Sequence, residues 1–358
     1  MGALRLYLAL CVVAEHSGPF PFPTHSGTQA VQLFFLISGF HMSLVQDRYP
    51  TASSFWRSRF LRIYPVTWAA LSVGFLASMA SGILWGRWIL LHDWPGVLKH
   101  YGIAGAALAG VSNLTLFFQD WTMFLSQDAG QTLHFTSDFV HDPHPLYKLL
   151  LFPQMWSVGL ELTFYLLVPF LWRKSTPWIL GLAALSTCMR VATYLGMGWS
   201  ADPWDYRFFP FELGCFALGM ASQRLGSRIR PVAWASRFAP RTAILLALFS
   251  VVGWMQRHAE LFAPPWANLV SIPTWAVALP FLFATTKNCP EDRFLGDLSY
   301  PVYLVHMLAV PMALRMAGPA STLAGPLSAA ITLVLAVALW RWVERPVDRF
   351  RHRGSLRS

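Results

Sequence analysis

The sequence predicts an all-α polytopic membrane protein, and two observations carry this prediction. Of the 358 residues, 55% are hydrophobic and only 12% are charged, whereas ordinary globular domains contain about 25% charged residues. Several apolar stretches are also close to, or longer than, the roughly 18–20 residues that a helix needs to cross a bilayer. A large soluble protein with an apolar core does not need such runs.

The apolar runs give ten candidate spans. Their pattern is continuous and does not alternate, which favours helices over the strands of a barrel, because a helix satisfies its own backbone hydrogen bonds in lipid. In order along the chain, we place the spans at residues 3–16, 29–46, 63–85, 148–172, 177–198, 208–223, 242–258, 267–286, 298–316 and 325–343.

One further apolar stretch, residues 101–118, is ambiguous, and the positions of the basic residues decide its placement. If it does not cross the membrane, the basic loops all fall on the cytoplasmic side, as the positive-inside rule requires. We therefore predict that both termini are cytoplasmic and that residues 86–147 form an outer segment, with 101–118 as a surface or re-entrant element. Residues 344–358 form a cytoplasmic tail, and the whole chain, 1–358, forms one membrane-embedded domain.

Charge and cysteine usage exclude several classes of function. The net charge of +10 comes from basic residues between the apolar runs, so topology and anionic membrane lipid explain it better than a nucleic acid does. The cysteines show no CxxC spacing and no HExxH motif occurs, so we expect no metal site and read the cysteines as buried or reduced thiols. They are Cys11, Cys188, Cys215 and Cys289.

Arg5 and His16 are the first candidate functional residues. They are eleven positions apart in the first span, which places them within about 20° on one helical face and about 16–17 Å apart along the axis. The prolines after residue 18 end that helix early, so His16 is expected within the depth of the membrane. An ionisable group there is a functional candidate, and imidazole suits proton transfer near neutral pH. Alternatively, Arg5 is a topology anchor and His16 marks the outer interface.

Arg59 and Arg62 are three residues apart at the inner end of the third span, on one helical face. Guanidinium groups bind phosphate in a bidentate way, so a cytosolic donor with several phosphates, such as coenzyme A, would suit this pair. The alternative is a positive-inside anchor. In the second span, Ser38 and Gly39 interrupt bulky residues, which favours close packing between helices.

The fourth span carries Ser157, Glu161 and Tyr165 at four-residue spacing, and therefore on one face. A carboxylate in such an apolar helix must point into a cavity or pair with a cation. Both orientation of a histidine and pairing with an arginine are compatible with the position of Glu161.

The last two spans contain a second set of polar residues. Ser299, Tyr303 and His306 share one face of the ninth span, where His306 is either functional or a satisfied polar residue of the bundle. Glu344 and Arg345 end the tenth span, and we interpret them as a structural ion pair.

These residues resemble the motifs of the acyltransferase 3 family, integral-membrane enzymes that O-acylate sugars and other surface molecules. Arg5 with His16 resembles the family's R-x10-H motif. The other matches follow in the family's order and reach residue 346. They are FFLISGF for FFxxSGF, RFLR for RxxR, WSVGLELTFY for WSxxxExxFY, LSYPVYLVH for SYxxYLxH and VERP for the final ExP, and RFFPFELGCFALGMA is also similar to a family segment.

The resemblance implies transfer of an acyl group, with acetyl as the simplest choice, from cytosolic acyl-CoA to a hydroxyl of a carbohydrate, a lipid-linked glycan or another surface acceptor. We expect His16 to act as a general base on the acceptor hydroxyl, and a covalent acyl-enzyme on Ser299 or Ser38 stays open as the alternative. The implied site residues are His16 and Glu161 for catalysis, Arg5, Arg59 and Arg62 for donor binding, and Ser38, Tyr165, Ser299, Tyr303 and His306 in support.

No bound cofactor is expected, since acyl-CoA is a co-substrate, and the expected location is a bacterial inner membrane. The alternative function is a transporter or flippase that uses buried histidine, glutamate and arginine. Two features of the sequence disfavour it: no inverted repeat is visible, and the arginines cluster at one face of the membrane.

Overall fold

A computed structural model of the protein describes most of the chain, and the following account concerns that part. The described residues are 1–86, 101–227 and 266–355 without 19, 23, 129, 319 and 320, together with 88, 90 and 253. Their helices, numbered in chain order, are α1 (Gly2–Ser17), α2 (Gly27–Leu44), α3 (Ala52–Trp85), α4 (Ile103–Thr115), α5 (Trp156–Leu171), α6 (Thr176–Met197), α7 (Phe209–Gly226), α8 (Ala267–Thr286), α9 (Pro290–Ala317), α10 (Ala324–Leu339) and α11 (Arg345–Ser355).

Six helical segments are long and apolar enough to cross a membrane: α3, α5 counted from Pro153, α6, α8, α9, and α10 continued to Arg351. The chain is therefore an integral membrane protein. The predicted spans 3–16, 29–46 and 208–223 form α1, α2 and α7, which fall below that limit of length and hydropathy. The predicted span 242–258 lies outside the described residues apart from residue 253, so the total of ten spans stays a prediction.

The three helices below that limit, α1, α2 and α7, are largely enclosed by their neighbours. In α2, 13 of 18 residues are buried, because this helix packs against α7 on one side and α1 on another. Helix α1 packs in turn against α9, and α9 against α10. Helices that are shielded from lipid by their neighbours tolerate polar residues, and this explains why these segments carry several of the candidate site residues.

Small residues bring α2 and α7 into direct backbone contact. A Cβ atom on Gly39 would lie 2.0 Å from the carbonyl oxygen of Phe216, and one on Gly219 would lie 2.0 Å from that of Leu36. Such contacts are possible only where both helices lack side chains at the crossing. The close packing expected at Ser38 and Gly39 is thus confirmed.

Two helices begin earlier than the sequence indicated. Helix α3 starts at Ala52 and not at residue 63, because Thr51 and Ser54 form a capping box that satisfies free N–H groups of the first turn. Helix α9 starts at Pro290 and not at residue 298, with the proline in the first turn, where its missing N–H is harmless. The predicted tail 344–358 continues as helix α11, after a π-helical turn at Trp340–Glu344.

The predicted outer segment contains α4 and a short hairpin. With 13 residues, α4 is about 20 Å long, shorter than the roughly 30 Å hydrocarbon core. Two side chains of α3 hold its end: the Tyr64 hydroxyl donates to the carbonyl of Thr115 (2.5 Å), and Trp68 Nε1 donates to that of Leu114 (3.0 Å). The all-α prediction omitted the antiparallel strands β1 (Leu125–Gln127) and β2 (Leu133–Phe135), in which Leu125 faces Phe135.

The predicted position of this segment outside the membrane can be tested by labelling of introduced cysteines. Val140→Cys is expected to react with a membrane-impermeant maleimide from the outside of intact cells, because Val140 is 59% exposed and follows the stretch that is predicted not to cross. The background should carry Cys188→Ser and Cys289→Ser, since these thiols are exposed and half-buried. Arg173→Cys, in a basic inner loop, is the matched control and should react only after permeabilisation. The reverse pattern would show that residues 101–118 cross the membrane.

Candidate active site

A cavity of about 470 Å³ lies among α1, α2, α3, α5, α9 and α11. Exposed arginines at helix ends, Arg48 and Arg293, line its mouth. Deeper in the cavity, Phe34 and Phe35 of α2 and Ser157 of α5 line the wall. The cavity therefore combines a charged mouth with an interior lined by both apolar and hydroxyl-bearing side chains.

The charge of the lining is strongly positive. Six arginines face three carboxylates, which leaves an excess of three positive charges before histidine is counted. The arginines are Arg5, Arg48, Arg59, Arg62, Arg293 and Arg351, and the carboxylates are Glu161, Asp297 and Asp348. A cavity lined by one sign of charge with apolar walls concentrates ligands of the opposite sign, so this one favours an anionic ligand.

Arg5 is available to such a ligand. Its guanidinium group lines the cavity, and it forms no hydrogen bond or ion pair with any residue in the described part of the chain. The helix that carries it is fixed by Asp292, whose carboxylate accepts hydrogen bonds from the backbone N–H groups of Gly2 (2.8 Å) and Ala3 (2.9 Å). A carboxylate at this position stabilises the N-terminus of α1, and it thereby positions Arg5.

Arg59 and Arg62 line the same cavity but already have partners. Arg59 donates to the hydroxyl of Tyr49 (2.9 Å) and lies over aromatic rings, Tyr165 among them. Arg62 Nη1 lies 2.7 Å from Glu344 Oε1 and 3.0 Å from Asp348 Oδ2. An anionic ligand at Arg62 has to compete with these carboxylates.

The expected ion pair between Glu344 and Arg345 is wrong. Glu344 is 1% exposed and pairs with Arg62 of α3, whereas the guanidinium of Arg345 lies 5.5 Å from the ring centroid of Trp340. Neighbouring residues in a helix point to different sides, so the inward-facing carboxylate takes its partner from another helix.

Ser38, Glu161 and Tyr165 form a hydrogen-bonded cluster in the wall of the cavity. The hydroxyls of Ser38 and Tyr165 both donate to Glu161 Oε1, at 2.6 and 2.5 Å. In the described part of the chain no arginine lies within 4.0 Å of this carboxylate. Its contacts are therefore two hydroxyl groups, and neither His16 nor an arginine is among them.

Ser157 and Tyr303 form a second pair further along the cavity. Their hydroxyl oxygens are 2.7 Å apart, and the Tyr303 hydroxyl donates to the carbonyl of Gln154 (2.6 Å). Ser299 also lines the cavity and donates to the carbonyl of Gly296 (2.6 Å). The face predicted for Ser157, Glu161 and Tyr165 thus lies on the cavity in full.

His16 and His306 lie beyond this cavity, at the opposite end of α1 from Arg5. His16 is exposed in the last turn of α1, and its Nδ1 lies 2.9 Å from the carbonyl of Val12. Because a carbonyl only accepts hydrogen bonds, Nδ1 carries the proton and Nε2 keeps a lone pair. The His306 ring, fully buried, lies 5.2 Å from the His16 ring between centroids.

The loop between α6 and α7 packs against the start of α5, next to Ser157. Arg207 pairs with Asp202 (2.5 Å), and its guanidinium lies 4.5 Å from the ring centroid of Trp156. Burial raises the pKa of the neighbouring Asp205 to about 7, because a charged carboxylate is poorly solvated there. The charge of this loop therefore changes close to neutral pH.

Comparison with known proteins decides the family. The sequence model of the acyltransferase 3 family, described as an acyltransferase domain, matches residues 1–341. The chain belongs to the acyltransferase 3 family. A relative of this acyltransferase is Nodulation protein 10 of Rhizobium leguminosarum bv. viciae, which is 22% identical over 369 positions that cover 97% of the chain and 92% of that protein. No solved structure matches the chain. The protein is an O-acyltransferase enzyme.

Sequence reasoning missed several residues of the acyltransferase cavity. Asp348 and Arg351 lie three residues apart in the tail, a spacing that puts them on one helical face, so the signal was present once the tail was taken as a helix. Arg48 and Arg293 lie between the apolar runs, where a basic residue indicates only topology. The other residues that were missed are His41, Asp297 and Tyr300.

Proposed function

We propose that this acyltransferase moves an acyl group, with acetyl as the expected one, from cytosolic acyl-CoA to a hydroxyl of a carbohydrate or other cell-surface acceptor. The observation that carries the proposal is the arginine-rich cavity, in which Arg5 has no partner among the described residues. Acyl-CoA carries phosphate groups at one end and a thioester at the end of a long arm. A basic mouth and an interior lined by both aromatic and hydroxyl side chains match that distribution of charge.

In the proposed reaction, Arg5, Arg59 and Arg62 bind the phosphates, and the arm reaches past Ser38 and Glu161 towards His16. The Nε2 lone pair of His16 removes the proton of the acceptor hydroxyl. The hydroxyl oxygen attacks the thioester carbonyl, the C–S bond breaks, and the thiolate leaves. General-base assistance of this kind contributes typically about 10²–10⁴-fold to a rate.

The tautomer of His16 supports its role as the base. We considered Glu161 as the group that orients His16, but the carboxylate is bonded to Ser38 and Tyr165, while the Val12 carbonyl lies at the His16 Nδ1. Glu161 instead holds two hydroxyl groups in the wall of the donor cavity. We propose that it shapes the path of the acyl arm.

The affinity for the acyl donor is expected to depend on the arginines of the cavity and not on His16. Arg5→Ala is expected to weaken acetyl-CoA binding by about ten- to a hundredfold, because the loss of one charge-assisted hydrogen bond costs about 1.5–3 kcal/mol. Arg5→Lys should restore only part of the affinity, since lysine lacks the planar fork. Isothermal titration of the purified protein with acetyl-CoA measures both effects.

Arg62→Ala is expected to act in the same direction, but it also strands the buried Glu344 without its partner, which is strongly destabilising. The double variant Arg62→Ala/Glu344→Gln removes that complication and is the informative one. His16→Ala is the control and should bind acetyl-CoA normally. If His16→Ala loses binding while the arginine variants keep it, the arginines are only topology anchors.

We further propose a bacterial inner membrane as the location, a carbohydrate or lipid-linked glycan as the acceptor and no bound cofactor besides the co-substrate acyl-CoA. The relative from Rhizobium and the six apolar helices support a bacterial membrane. Mass spectrometry of surface glycans from cells with and without the protein tests the acceptor. An unchanged acylation pattern would argue against a glycan.

Thioester cleavage tests the proposed reaction itself. Purified protein in nanodiscs, supplied with acetyl-CoA and a cell-envelope fraction, is expected to release free coenzyme A. A transporter or flippase with the same buried charges would move its cargo and leave the thioester intact. Family membership favours the enzyme, and the absence of coenzyme A release with any short-chain acyl-CoA would overturn the proposed donor.

A further inference from the structure

His306 contains a buried nitrogen that no described residue satisfies. The side chain is 0% exposed, and its Nδ1 lies 2.7 Å from the backbone carbonyl of Tyr303. The carbonyl can only accept, so Nδ1 carries the proton and Nε2 keeps a lone pair. No donor in the described part of the chain reaches this Nε2. Buried polar atoms of this kind are rare and call for an explanation.

His16 has the same tautomer as His306, with the proton on Nδ1, and its ring lies next to the His306 ring. Its Nδ1 is bonded to the Val12 carbonyl, and its ring lies 5.2 Å from that of His306, tilted by 54°. Both Nδ1 atoms are occupied, so the Nε2 atoms are the two ring nitrogens left for a contact between the rings. Two imidazoles joined by an N–H···N bond of about 3 Å have centroids roughly 5 Å apart. The rings are that close, yet two acceptors cannot bond.

We propose that His16 and His306 share one proton during acyl transfer, so that His306 is the positioning residue of the catalytic base. The proposal rests on the proposed function of His16. The proton leaves the acceptor hydroxyl for Nε2 of His16, and the new N–H then donates to Nε2 of His306. It is finally transferred to the thiolate sulfur of coenzyme A, which leaves both rings neutral. Nε2 of His306 thus has no donor among the described residues at rest and gains one only when His16 is charged, which stabilises the reacting state more than the ground state.

Few other titratable groups face the pair. On α1, Glu15 accepts a hydrogen bond from the backbone of Gly27 (3.0 Å), and on α9, the Tyr303 hydroxyl donates to Gln154. Helix α10, which packs against both α1 and α9, carries no acidic or basic residue. The only titratable residue of helix α2 is His41, which lies near the C-terminal end of that helix. The protonation of each of the two rings therefore depends mainly on the charge of the other ring.

Two variants of His306 test the proposal in kinetics. His306→Gln, assayed by coenzyme A release from acetyl-CoA with a cell-envelope fraction, is expected to lower kcat about ten- to a hundredfold, as for the loss of a hydrogen bond to a charged group. Acetyl-CoA affinity should stay unchanged. In His306→Ala, added imidazole should restore turnover by filling the vacated site, which a merely structural role would not allow.

His25→Gln is the matched control. His25 is also 0% exposed, has an Nε2 without a described partner, and packs against Trp275 rather than His16. It should keep its kcat. Wild-type turnover in His306→Gln, or a His306→Ala variant that imidazole does not rescue, would overturn the proposal.

A measurement without substrate separates this inference from the proposed function. In protein with ¹⁵N-labelled histidine, NMR shifts of the ring nitrogens of His16 and His306 are expected to move together over one protonation step, and in His306→Gln the midpoint for His16 should shift. Independent titration of the two rings overturns the shared proton. If the wild-type protein cleaves no acyl-CoA but the rings titrate together, the pair stands and the donor assignment fails.

Discussion

His16→Ala is expected to abolish acyl transfer, with a loss of at least about a hundredfold in kcat, because general-base assistance is worth about 10²–10⁴-fold. The fold should survive, since His16 is exposed and lies in the last turn of α1. Its Nδ1 contact is a local one within the same helix. Coenzyme A release and the thermal unfolding of the purified protein, measured side by side, separate chemistry from stability.

The control for this variant is His141→Ala. His141 is 82% exposed in the outer segment, and its Nδ1 lies 2.6 Å from Asp138. It should keep wild-type turnover. A folded His16→Ala protein that retains more than a tenth of the normal rate would show that His16 is not the base.

Gly39→Val is expected to prevent correct folding. Its Cβ would lie 2.0 Å from the carbonyl oxygen of Phe216 and 3.0 Å from its Cα, and a backbone carbonyl cannot rotate away as a side chain can. Helices α2 and α7 would have to separate, and Ser38 would move away from Glu161. We expect loss of a monodisperse peak in size-exclusion chromatography and a strongly lowered midpoint of thermal unfolding.

Gly181→Ala is the matched control for this crossing. Gly181 lies inside α6, and nothing is within 4 Å of the position its Cβ would take. Alanine at a helix interior is favoured over glycine by roughly 0.5–1 kcal/mol, so this variant should be as stable as the wild type or more so. A well-folded Gly39→Val protein would contradict the backbone contact between the two helices.

The local part of the site could be predicted from the sequence. Ser157, Glu161 and Tyr165 share a helical face by their spacing alone, and the structure places all three on the cavity. The end of the first helix close to His16 follows from the prolines after it. Such features depend on residues within a few turns of each other, so helical periodicity is sufficient.

The partners across the bundle could not be predicted. Arg62 meets Glu344 and Asp348 from the far end of the chain, and spacing along one helix gives no information about such contacts. For the same reason Glu161 was considered as a partner of His16, whereas the structure gives it Ser38 and Tyr165. The lack of a described hydrogen-bond donor at Nε2 of His306 could not be predicted either, because it depends on which side chains the neighbouring helices place beside it.

The anchoring of α4 has a consequence for how this protein is assembled. A helix of 13 residues is too short to span a bilayer. Its position therefore depends on contacts with the rest of the protein and not on insertion into lipid. Tyr64 and Trp68, which are synthesised earlier, hold it by donating hydrogen bonds to its last carbonyls. We expect the segment to be exported first and to settle on α3 afterwards. Changes in bilayer thickness should then strain the long helices and leave this short one in place.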